Sequence, residues 1–145
     1  LPQIVKRIEA EIVGRELFPL MDDCYRQELL YFTSNEFANR IRVPQADTLF
    51  AGEMPEAVAR LPAGQQLEVS FEDLNNRYNF AEFSPVDGRI VKVADHIAAF
   101  LEADSSIRYG ITSDHLTSGK ANLLRIYNQN RIVNGIDVMA FFDQF

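Results

Sequence analysis

The residues best placed to do chemistry fall in one run, Asp87-Gly-Arg-Ile-Val-Lys-Val-Ala-Asp95-His-Ile-Ala-Ala-Phe-Leu-Glu102-Ala. Asp95 stands among Val93, Ala94, Ile97 and Ala98, and a carboxylate in apolar surroundings has to be coordinated, ion-paired or hydrogen-bonded, because burying it unpaired is costly. On a helix Asp95 and Glu102 are two turns apart and project on nearly the same face, with Lys92 one turn before Asp95. Two readings follow. In the plainer one Lys92 pairs with Asp95 or His96 on a solvated face, an interaction worth little. In the sharper one Asp95 is a metal ligand. His96 cannot share an ion with it, since adjacent helical residues point about 100° apart, so His96 reads as a capping or packing residue, and His115 does too.

Other chemistries are excluded by what the chain lacks. It has no Gly-rich phosphate loop, no Cys-x-x-Cys pair, no His-Glu-x-x-His helix and no Gly-x-Ser-x-Gly elbow, and it contains two histidines in all. Catalysis would have to rest on carboxylates. Lys and Arg number 14 against 21 Asp and Glu, a net charge of −7, which is the wrong sign for holding a nucleic-acid backbone by counterion release. A single cysteine, Cys24, rules out an intrachain disulfide and fits a reducing, cytoplasmic setting. No apolar run approaches the ~18 residues that a membrane-spanning helix requires, so no membrane association is expected.

The elements that must position these residues are helical. Ile4, Val5, Ile8, Ile12 and Val13 are spaced by three and four, with charged residues between them, the pattern of an amphipathic helix. Pro19 interrupts it, and Asp22 and Asp23 are placed to start a second helix carrying Cys24, Tyr25, Leu29, Leu30 and Phe32, ending near 33–35. Residues 43–64, with three prolines and two glycines, read as a loop-rich insertion with at most one short helix over 55–60. Ser70 with Asp73 three residues on marks another helix start. After the Pro85, Asp87, Gly88 turn, Ile90, Val93, Ile97 and Leu101 trace a helix to about 106. Thr112 or Ser113 caps the next, carrying Leu116, Leu123, Leu124 and Tyr127, and Asp137 a last one bearing Phe141, Phe142 and Phe145. Ile41–Val43 and Arg131–Val133 are the only β-like pieces, short enough to be extended loops. No repeat of fixed period occurs. The 145 residues, 47% of them hydrophobic with 11 Phe and 5 Tyr, suffice for one core, and the expectation is a single all-α domain over 1–145.

The run from Ile90 to Ala103, followed by Ser106-Ile-Arg-Tyr-Gly110-Ile, resembles the later half of HD-domain metal-dependent phosphohydrolases, especially their 5′-deoxynucleotidase-like branch. There an apolar pair, a Lys and two small or apolar residues precede a metal-binding Asp on a helix. Asp95 matches that distal Asp and Lys92 the Lys before it. The segment Tyr31-Phe-Thr-Ser-Asn-Glu36-Phe is similar to the one that brings an acidic residue toward the site. The likeness is loose over most of the chain and specific only around 90–110.

The resemblance implies a helical bundle of the HD type, a divalent metal ion such as Mn, Mg or Co held in part by Asp95, Lys92 toward the substrate, and Glu36 or Glu82 orienting sugar or water; Glu36 is preferred because its Asn35-Glu36-Phe37 setting follows a well-patterned helix, although Glu82 stands nearer to Asp95 in sequence. The substrate implied is a small phosphate ester, a nucleotide above all. The family's early His and adjacent His-Asp pair have no counterpart here, since no His precedes His96 and no His-Asp dipeptide occurs. With a start at Leu1, the expectation is the C-terminal portion of an HD-like domain, incomplete at its N-terminus and inactive alone. The alternative is a non-catalytic module that keeps the fold for oligomerisation, as a homo-oligomer, or for partner binding, with Phe141, Phe142 and Phe145 as interface.

Overall fold

A computed structural model describes residues 2–45 and 54–145. The centre of the 43–64 segment, Gly52 included, lies outside the described residues, as do the side chains of Cys24, Tyr31 and Phe32. The chain divides into two compact units, one of residues 1–38 and one of residues 39–145.

The first unit is a helical hairpin. Helix α1 spans Pro2–Glu16 and α2 spans Asp23–Asn35, with a single 3-10 turn at Phe18–Leu20 between them. Pro19 sits inside that turn, where its missing N–H ends the α-helical ladder. Asp22 has the extended backbone of an N-cap but makes no side-chain cap bond; Asp23, in the first turn, places its charge at the positive end of the helix dipole. The helix expected over 4–13 forms, yet its apolar stripe is not its packed side. Ile4, Val5, Ile8 and Ile12 are exposed, while Lys6, Ala10, Val13 and Gly14 are half-buried.

The second unit holds two cores. Strand β1 (Arg40–Arg42) pairs antiparallel with β2 (Gln66–Glu68) in the register Arg40↔Glu68, Ile41↔Leu67 and Arg42↔Gln66. Around this ribbon gather Ile41, Val43, Val58, Leu74, Tyr78 and Phe83. Val58 comes from α3 (Glu56–Ala59), within the one short helix expected in the loop-rich stretch. Leu74 comes from α4 (Phe71–Asn76), whose N-cap is Ser70: its hydroxyl accepts from the Asp73 amide at 3.0 Å and donates to the Asp73 carboxylate at 2.9 Å. The Arg40 backbone also exchanges hydrogen bonds with Val86 in both directions, at 3.0 and 2.9 Å. The turn that starts the next helix is thereby fastened to the ribbon.

That helix, α5, runs Gly88–Arg108, the longest in the chain. Asp87 caps it by accepting from the amides of Arg89 and Ile90, and its second oxygen accepts from the Asn134 amide group at 2.7 Å. Helix α6 (Asp114–Gln129) returns alongside, capped by Ser113. Strands β3 (Ile132–Val133) and β4 (Ile136–Asp137) form a minimal hairpin through Asn134 and Gly135, both at positive φ, the two-residue turn that suits strand twist. Helix α7 (Met139–Phe142) then closes the second core: Val93, Phe100, Tyr127, Val138, Met139 and Phe142. The chain is mostly helical, as its periodicity indicates, and both β-like pieces prove to be paired strands because each finds a partner to satisfy its backbone groups.

Phe100 is the most enclosed side chain of the second core, 1% exposed and edge-on to Phe142 at 4.8 Å between ring centroids. Phe100→Ala is expected to cost about 3–5 kcal/mol in urea unfolding, and Ser113→Ala about 1 kcal/mol through the lost cap.

Candidate functional site

The orientation of α5 decides what its polar residues can do. Val93, Phe100, Ala103 and Asp104 are its buried side chains. At about 100° per residue, Asp95 lies about 200° round from Val93 and about 140° from Phe100, so it faces outward and is exposed. Ala94 and Ala98, counted as apolar surroundings from the sequence, are exposed as well. Alanine sits comfortably on a wet helix face, and Asp95 therefore needs no partner to offset burial. Among the described residues it has no ion pair, so the expected pairing with Lys92 is not made. Lys92 and Glu102 are also exposed.

Just inside this face, His96 Nδ1 and the Tyr127 hydroxyl are 2.9 Å apart, with their rings edge to face at 5.9 Å. Tyr127 is buried, and that burial pushes its phenol above the usual value, with the Asp95 charge adding to the effect. His96 is thus the packing residue its position beside Asp95 indicates, tying α5 to α6.

The two candidate acids belong to other elements than α5. Glu36 belongs to the first unit, just beyond α2, where Lys6 donates to it at 3.2 Å between half-exposed side chains. Such a pair contributes at most about 1 kcal/mol. Glu82 lies in the turn Ala81–Phe83, half-buried, beside the first core of the second unit. Among the described residues no three His, Cys, Asp or Glu side chains are grouped so as to hold a metal ion. The described residues therefore do not fit a resident divalent metal by themselves: one carboxylate leaves nearly all coordination positions to water.

The acid the sequence reading passed over is Asp104. It is only 7% exposed, accepts from the Lys120 ammonium of α6 and from Arg108 Nε at 2.7 Å, and Lys120 in turn stands 5.0 Å above the Phe100 ring. The Lys120 hydrogen bond holds the Asp104 carboxyl below the usual range against the opposing effect of burial, with Arg108 assisting. Arg108 at i+4 was legible in the sequence; Lys120, on another helix, was not. A second low carboxyl is Asp137, which receives Arg131 Nε on both oxygens at 2.9 Å and the Ala140 amide at 3.1 Å. The N-cap position of the last helix is Val138 rather than the expected Asp137, whose carboxylate accepts from the Ala140 amide in the first turn.

No family model matches the chain, and no curated protein or solved structure matches it significantly.

Asp104 has a folded-state pKa below its unfolded one, so its contribution is fully present above the unfolded value, about 3.9, and is lost as pH falls through the lower folded value. Asp104→Asn is therefore expected to lower the urea midpoint at pH 7 and to flatten the decline between pH 5 and 2 expected of the parent chain. An unchanged acid limb would assign that decline to other carboxylates.

Proposed function

We propose that this chain is a portion of an HD-type metal-dependent phosphohydrolase acting on a phosphate ester of the nucleotide class, that Asp95 is the distal ligand of its divalent-ion centre, and that the chain does not catalyse on its own. The observation that supports this reading is the state of Asp95: a solvent-facing carboxylate with no ion pair among the described residues, in the first half of the longest helix, three residues after Lys92 and on the side away from the core. A carboxylate already neutralised by a protein cation would have to give up that pair to bind an ion. Among the described residues Asp95 has no such pair to give up. The rigidity of its backbone supports the role too, because α5 is anchored by Phe100, by the His96 contact to Tyr127 and by the Asp104 contact to Lys120.

Lys92 projects from the same side of α5 and supplies a cation for a phosphate oxygen. Of the two acids, Glu36 is engaged by Lys6, whereas Glu82 has no ion pair among the described residues. Glu82 is therefore the better choice for orienting sugar or water.

A second reading, a non-catalytic module of the same fold, is favoured by the exposed apolar stripe of α1, with Ile4 63% and Ile8 51% exposed. The aromatic tail does not add to it as a whole, since Phe142 is part of the second core and Phe145 alone of the three is largely exposed.

In the full-length gene product, Asp95→Asn is expected to lower Mn-dependent phosphate release from a deoxynucleoside monophosphate by more than about 100-fold, while in this chain by itself, free of metal, the urea midpoint is expected to be unchanged because the side chain is exposed. Turnover within a few-fold of the parent would remove Asp95 from the reaction. For the module reading, Ile8→Asp should convert a self-associated chain to monomer in light scattering; a parent chain that is already monomeric would count against self-association.

A further inference from the structure

We draw no further inference here: the strongest candidate, the apolar stripe of Ile4, Val5, Ile8 and Ile12 along α1, is an unpartnered helix face, and nothing in the structure shows what covers it.

Discussion

Phe100 has to be enclosed on every side, and the way it is enclosed sets the geometry of the larger unit. Its ring meets Phe142 edge-on at 4.8 Å and Phe145 at 6.4 Å, and the Lys120 ammonium covers it from α6 at 5.0 Å. Lys120 can stand over an aromatic face at such a depth because Asp104, one turn further along α5, accepts its proton-bearing end. Removing Asp104 would leave the Lys120 ammonium half-buried without its ion pair, whereas removing Lys120 would leave Asp104 with Arg108 alone. Apolar packing and the ion pair therefore act on the same two helices, one supplying area and the other the rotational setting.

That setting has a consequence for chemistry. Once Val93, Phe100, Ala103 and Asp104 point inward, the pitch of the helix sends Lys92, Asp95 and Glu102 outward, where they are exposed. The outward face is populated by small residues and charges, which is a surface suited to coordination or to contact and poorly suited to closing a core. Tyr127 marks the boundary: its ring stacks on Phe142 at 5.4 Å while its hydroxyl reaches the His96 ring. The polar edge of the core and the base of the acidic face are thus the same contact.

How much of this was legible beforehand depended on whether the deciding interaction was local. Ser70, Asp87 and Ser113 each sit within three residues of the amides they accept from; residue type and spacing place the first start at Ser70 and the third at Thr112 or Ser113, while Asp87 reads only as part of the turn before its helix. The long helices followed from periodicity for the same reason. The pairing of Arg40–Arg42 with Gln66–Glu68 could not be found this way, because a three-residue strand carries no periodicity and its partner lies across a loop. Asp104 was missed because its principal partner is on the next helix.

Asp95 was placed correctly on its helix and misjudged in its surroundings, since alanines that look apolar in a sequence are exposed here. The apolar spacing of α1 forecast the helix but not which side packs: in the hairpin, Lys6, Ala10 and Val13 are half-buried, and the isoleucines are exposed.

The central claim is that Asp95 is one ligand of a set which the described residues do not complete. Titrating the purified chain with Mn and following paramagnetic broadening of backbone amide signals tests it directly. The account predicts broadening centred on Asp95 and its helical neighbours that does not saturate in the micromolar range. Tight, saturable binding would contradict it by showing a complete centre within this chain, and broadening centred away from α5 would contradict the assignment of Asp95.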